Sequence, residues 1–163
     1  KTYKRTSTFY ERAAVHVEMA EPFYPVMRRW LINAAASVTD TKCHESGTYV
    51  CMEGPAFSTQ AESHLNRAIN ADLIGMTVMP EAKLAKEAEL PYALIALPTD
   101  YDCWKVEEEP VSVKTVIANL QKNAGSAKKI IRAAIPKIPI VPAWPSQKAL
   151  ENAIMTKKSA WIV

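Results

Sequence analysis

Glycine is scarce in this chain of 163 residues. There are four, Gly47, Gly54, Gly75 and Gly125, no two closer than seven positions, against eleven prolines. Loops that cradle phosphate need clustered glycines so that backbone N–H groups can approach the anion, which excludes GxGxxG and Walker-type loops on this chain. Cysteine is sparse as well: Cys43, Cys51 and Cys103 form no CxxC pair and are odd in number. That argues against a zinc site and against a closed disulfide framework, and for a reducing compartment. No apolar run approaches the roughly 20 residues that span a bilayer, and residues 1–12 mix both charge signs instead of forming a signal-peptide core. A cytoplasmic protein with no membrane attachment is expected. Net charge is small too, at +3, so there is little electrostatic pull towards nucleic acid or an anionic surface.

What is present is an ordinary globular composition. Apolar residues make up 48% and charged residues 23%, which excludes intrinsic disorder, and the length is that of one domain. The chain opens at Lys1 without an initiator methionine and reads as beginning inside a larger unit.

Residues 13–19 (AAVHVEM) alternate and predict a short strand closed by Pro22 and Pro25. Val26, Met27, Trp30, Leu31 and Ala34 fall on one helical stripe ending before Thr39. Residues 48–52 predict a buried strand, and Thr59 with Glu62 has the spacing of a capping box for a helix to about Ala71. Residues 73–76 form another short apolar run, and Pro80-Glu81 opens a helix with Leu84, Ala85 and Ala88 on its inner face. Residues 92–97 (YALIAL) are apolar on both pleat faces, as in an interior strand covered by helices. The longest stripe runs from Val113 to Ala134, with most of its cations off the stripe as a solvated face. Residues 136–163 hold four more prolines and a weak helical patch near 149–155, and read as an extended tail lying against another surface. The alternation predicts an α/β fold with a mostly parallel or mixed central sheet flanked by helices.

Ligands of open α/β sheets bind beyond the carboxyl ends of strands, which directs attention to Pro98-Thr99-Asp100-Tyr101-Asp102-Cys103-Trp104 after the interior strand. Two carboxylates in one cleft can set each other's pKa apart, so Asp100 or Asp102 is an acid/base candidate; an Asx-turn with two solvated carboxylates is the structural alternative. Phe57, past Gly54-Pro55, offers either a stacking face for a flat ligand or a core-filling ring. Gly75-Met76-Thr77 permits close approach and supplies a hydroxyl. His16 between valines reads as a packing residue, while His44 and His64 share no ligand spacing with each other or with the cysteines, so no metal site is expected.

Four segments together, Met19-Ala20-Glu21-Pro22-Phe23, Glu53-Gly54-Pro55-Ala56-Phe57-Ser58, Gly75-Met76-Thr77 with Pro80-Glu81 and Leu84-Ala85-Lys86-Glu87, and Thr99-Asp100-Tyr101-Asp102-Cys103-Trp104-Lys105, resemble the methylthioadenosine phosphorylase branch of the trimeric purine nucleoside phosphorylase family. The resemblance covers roughly residues 5–135 in one order with nearly the same gaps. It implies phosphate-dependent cleavage of the N-glycosidic bond of 5′-methylthioadenosine, with inorganic phosphate as co-substrate and no cofactor. It implies that Asp100 faces purine N7, that Asp102 assists recognition at the 6-amino side, and that Thr99 lies in the nucleoside site. Phe57 would flank the base, Met76 the ribose, and Thr77 the ribose and phosphate side. His16 would reach the nucleoside of a neighbouring subunit, and Val113 and Val116 would line the apolar pocket for the 5′ group.

Two departures stand out. The family usually carries arginine where this chain has Ala56, and residues beyond about Pro136 diverge. The family's phosphate loop, its arginine-histidine phosphate grip and its first sheet strands precede the match, so the resemblance implies a C-terminal portion of a single nucleoside phosphorylase domain with N-terminal strands missing from this chain. Its partners would be a nucleoside, phosphate, and either two further copies in a homotrimer or a chain supplying the N-terminal half. The alternatives are a broader purine nucleoside phosphorylase accepting adenosine or inosine, and a non-catalytic interaction domain on the same scaffold.

Overall fold

A computed structural model describes residues 2–38, 42–105, 113–140 and 144–157, without the side chains of 113–115. Its elements run α1 (Pro25–Val38), β1 (Tyr49–Cys51), α2 (Gln60–Ala68), β2 (Leu73–Gly75), α3 (Val78–Glu87) and α4 (Val113–Ala134), followed by single 3-10 turns at Ile135–Lys137 and Pro145–Lys148. The four helices follow from local chemistry. Pro25 stands at the first position of α1, where its missing N–H is no loss. At α2 the Thr59 hydroxyl accepts the Glu62 N–H while Glu62 accepts the Thr59 N–H, which is the capping box that the spacing predicts. This helix ends at Ala68, three residues earlier than expected, because Asn70 takes the left-handed φ of 58° and turns the chain. Within α3 the backbone of Met79 is extended (φ −111°, ψ 119°), so regular helix begins at Pro80, as a residue before proline requires.

The core is a contact between α1 and α4. Ala34, Ala35, Ile130 and Ala134 are buried together, with Leu31, Val38, Ile95 and Ala133 packed around them. Alanine on both helices lets the two backbones approach closely, and the periodic apolar positions of each meet there. Ile95 ties residues 92–97 to this layer.

The sheet is smaller than the sequence suggests. Among the described residues, β1 and β2 form a two-stranded parallel ladder, Tyr49 with Leu73, Val50 with Ile74 and Cys51 with Gly75. Residues 92–97 are half-buried but make no ladder, which corrects their reading as an interior strand covered on both faces. Strand status needs a ladder of backbone hydrogen bonds, and the one backbone bond recorded here, from the Tyr24 N–H to the Tyr92 carbonyl at 2.7 Å, does not make one. Residues 13–19 likewise form no strand: burial alternates as expected, but the pairing is one antiparallel bridge, Val15 with Ile154.

The surface against which the tail lies is the chain's own, and residues 145–153 form turns rather than an extended run. Trp144 stands edge-on to Tyr24 and Trp30, with ring centroids 6.1 and 5.4 Å apart. The Leu150 N–H donates to Glu89 Oε1 at 3.0 Å. The patch near 149–155 forms turns rather than helix, and residues 141–143 and 158–163 of the tail lie outside the described residues.

Candidate active site

Because β1 and β2 are parallel and in register, both end at one level, and the segments leaving them emerge side by side. Gly54 follows β1 with φ +67°, a conformation that glycine adopts without strain. A Cβ there would lie 2.8 Å from Met76 Sδ, so the absent side chain is what lets the two segments approach. At the end of β2, a methyl on Gly75 would overlap the Tyr49 hydroxyl. That hydroxyl bonds the Thr77 backbone, and burial raises its pKa above the usual phenol value.

Residues 98–105 arrive from the other side. The Cys103 thiol donates to the Ser58 carbonyl at 3.4 Å. The Arg67 guanidinium of α2 covers the Trp104 ring at 3.7 Å, Tyr101 stands edge-on to Trp104 at 5.8 Å, and Lys105 Nζ sits 3.7 Å from the Tyr101 ring centre. Cation–π contacts of this kind orient the aromatic rings as well as attract them. From α4, Asn119 Nδ2 donates to the Thr99 carbonyl at 2.9 Å and Asn123 Nδ2 to the Pro98 carbonyl at 2.7 Å. One helix face thus holds two successive carbonyls immediately before Asp100.

Three of the segments named from sequence, 53–58, 75–77 and 98–104, therefore meet at one edge. Asp100 is exposed, and its Oδ1 accepts the Thr99 hydroxyl at 2.6 Å. Asp102 is half-buried, with its carbonyl accepting the Lys105 N–H at 3.2 Å. Phe57 is 82% exposed, so within the described residues it does not fill the core. Met76 is half-buried; Thr77 is exposed at the N-cap position of α3, and its hydroxyl makes no cap hydrogen bond.

The remaining named residues stand elsewhere. His16 is exposed rather than packed, and its backbone N–H donates to the Ala153 carbonyl on the tail at 2.8 Å. Val116 is half-buried on α4, and the side chain of Val113 lies outside the described residues. Among the described residues no group of three or more His, Cys, Asp and Glu is placed to hold a metal ion, and no helix is long and apolar enough to cross a membrane.

Sequence reasoning missed Asn119, Asn123 and Arg5. The Arg5 guanidinium donates to the carbonyls of Met76 and Glu53 and, at 3.3 Å, to that of Met79; its Nε lies 3.4 Å from Glu53 Oε1. The other oxygen of Glu53 accepts the N–H of Tyr3 at 2.7 Å and of Lys4 at 3.4 Å. The Tyr3 N–H, then that of Lys4 and the Arg5 charge, hold the Glu53 carboxyl below its ordinary value. Nothing in the spacing of Arg5 marks it, since its partners lie 48 to 74 residues away.

A parallel βα layer that gathers an aromatic face, an exposed carboxylate and a threonine hydroxyl at one edge is the kind of place where α/β folds bind small molecules. The phosphorylase superfamily profile matches residues 1–136, and the chain belongs to that superfamily. Among its relatives it is similar to S-methyl-5′-thioadenosine phosphorylase of Thermosynechococcus vestitus, 46% identical over 160 residues, covering 96% of this chain and 55% of that protein. The Danio rerio enzyme of the same name is 46% identical over 144 residues, covering 85% of this chain and 51% of its own length. Among solved structures, a methylthioadenosine phosphorylase from an Antarctic soil metagenomic library superposes with a TM-score of 0.88 at 47% identity, over 98% of this chain and 57% of that one. The Schistosoma mansoni methylthioadenosine phosphorylase in complex with adenine gives 0.84 at 34% identity, over 95% and 63%. The chain spans about half the length of the curated relatives it matches.

Proposed function

We propose that this chain carries the nucleoside half of a phosphorylase site that cleaves 5′-methylthioadenosine with inorganic phosphate to adenine and 5-methylthioribose 1-phosphate, a reaction of methionine and purine salvage. The observation that carries the reading is the meeting of 53–58, 75–77 and 98–104 at one edge, with Phe57 and Asp100 both exposed there.

In this reading the purine stacks on Phe57 and presents N7 to the Asp100 carboxyl. A phosphate oxygen forms the new bond to C1′ as the C1′–N9 bond breaks; the electron pair passes to the purine and is stabilised by the proton that Asp100 shares or donates at N7. The Thr99 hydroxyl, bonded to Asp100 at 2.6 Å, orients that carboxyl. Asp102 accepts from the 6-amino group, Met76 lies against the ribose, and Thr77 serves the ribose and phosphate side. Val113 and Val116 line the pocket for the 5′ substituent, where an apolar wall favours methylthio over hydroxyl because a buried hydroxyl would lack a partner. His16, standing away from this chain's own site, serves a neighbouring subunit in a trimer. The remaining phosphate contacts come from the part of the relatives' length that this chain does not span. The reaction needs no cofactor besides phosphate and takes place in the cytoplasm, and residues 1–163 form part of one nucleoside phosphorylase domain with 136–163 as its divergent tail.

The test is phosphorolysis by the native protein that carries this chain. Asp100→Asn should lower kcat for methylthioadenosine by about 10²- to 10⁴-fold, the range of a general-acid contribution; unchanged turnover would remove Asp100 from the reaction. Equal rates on methylthioadenosine, adenosine and inosine would replace the 5′-alkylthio preference with a broader purine nucleoside phosphorylase.

A further inference from the structure

We infer that Arg5 is a positioning residue that locks the ribose-side segment 76–79 to the base-side segment 53–58, so that nucleoside affinity depends on a side chain that touches no nucleoside; the functional part of this inference rests on the reading proposed above. One guanidinium bonds three carbonyls from two different loops, those of Glu53, Met76 and Met79, and pairs with the Glu53 carboxylate. Glu53 is the second residue after β1, Met76 the first after β2 and Met79 the second residue of α3, all past the last ladder pair of Cys51 with Gly75. Backbone pairing ends with the Met52 N–H on the Gly75 carbonyl at 2.9 Å; beyond it the Cys51 thiol, which donates to the Met79 carbonyl at 3.3 Å, and the Arg5 guanidinium join the two segments. Met79 is the point at which α3 is interrupted. Its carbonyl anchors the segment that carries Met76 and Thr77 to the turn that presents Phe57.

Only arginine fits this task. Its planar fork presents five N–H donors in fixed directions, whereas a lysine ammonium is a point charge that cannot span carbonyls on two loops. Arg5 is itself held in place: Glu53 accepts its charge through one oxygen and the N–H groups of Tyr3 and Lys4 through the other, so the residues on its N-terminal side are pinned to the same acid.

The test compares Arg5→Lys and Arg5→Met with wild type in the native protein that carries this chain. KM for 5′-methylthioadenosine should rise about 10- to 100-fold in Arg5→Met, the span that loss of one charge-assisted hydrogen bond carries, with kcat changed much less. Arg5→Lys keeps the ion pair but not the span, and should show most of that rise with an unaltered thermal midpoint. A role in stability alone would lower the midpoint and leave KM unmoved. Should Arg5→Met fail to fold, the lysine variant decides, and wild-type KM in folded Arg5→Lys overturns the inference. Amide hydrogen exchange separates this from the proposed function. Arg5→Lys should speed exchange in 53–58 and 76–79 together, whether or not the wild type acts on methylthioadenosine, and unchanged exchange in either segment overturns the lock.

Discussion

Asn119 and Asn123 sit one turn apart on α4 and donate to the carbonyls of Thr99 and Pro98 at 2.9 and 2.7 Å, just ahead of Asp100. Truncating either to alanine leaves a backbone acceptor without its donor. The Asn119 bond is partly buried and the Asn123 bond exposed, so the two losses differ: about 1 kcal/mol for Asn119→Ala and about 0.5 kcal/mol for Asn123→Ala, within the usual net value of a neutral hydrogen bond. At about 2–4 °C per kcal/mol for a chain of this length, the thermal midpoint should fall by about 3 °C and about 1.5 °C respectively. The two carbonyls are consecutive, and each bond restrains the segment for the other. The double variant should therefore deviate from additivity, with a coupling of at least about 0.5 kcal/mol in a double-mutant cycle. Function gives a second readout. Release of residues 98–99 lets the Asp100 carboxyl drift, and misplacement by about 1 Å costs up to about 10²-fold in rate; the double variant should lose about 10-fold or more in kcat/KM. Midpoints by calorimetry and initial rates of phosphorolysis on the same preparations measure both. Wild-type midpoint and wild-type kcat/KM in the double variant would refute the claim that α4 positions this segment.

Gly75→Ala should cost about 1–3 kcal/mol in denaturant unfolding because its methyl overlaps the Tyr49 hydroxyl, and Tyr49→Phe in the same chain should recover part of that cost; absence of recovery would place the strain elsewhere. The Glu53 carboxyl, held below its ordinary value of 4.5 by the Tyr3 N–H first and by Lys4 and Arg5 after it, contributes stability that is present above that value and lost as pH falls through the lower folded value. Glu53→Gln should accordingly be less stable than wild type at neutral pH and converge with it in acid, and parallel pH profiles of the two denaturation midpoints would contradict this.

The helices were legible because their information is local. The three- and four-residue recurrence in α1 and α4, the Thr59 to Glu62 spacing and the proline at position 80 each act within one or two turns. The candidate site segments were legible for a related reason: Gly75 ends one strand-like run and Gly54, Phe57, Asp100 and Asp102 stand just past others, where α/β layers put ligands. Residues 92–97 misled because an apolar run reports burial but says nothing of a ladder partner. In residues 13–19 the alternation was right about burial and wrong about pairing. The tail misled because its prolines suggest extension, whereas the decisive contacts, Trp144 on Tyr24 and Trp30, join the two ends of the chain.

By itself, then, the sequence determined the helical layer, the two short strands and the segments that make up the candidate site, since periodicity, caps and turn residues act through neighbours along the chain. Only the tertiary structure decided which of those segments meet: that Cys103 reaches Ser58, that Phe57 faces outward while His16 stands apart, and that Arg5, Asn119 and Asn123 hold the loops around the site. These decisions rest on hydrogen bonds between groups 20 to 74 residues apart, and a donor that finds its acceptor at such a distance leaves no pattern in the residues beside it.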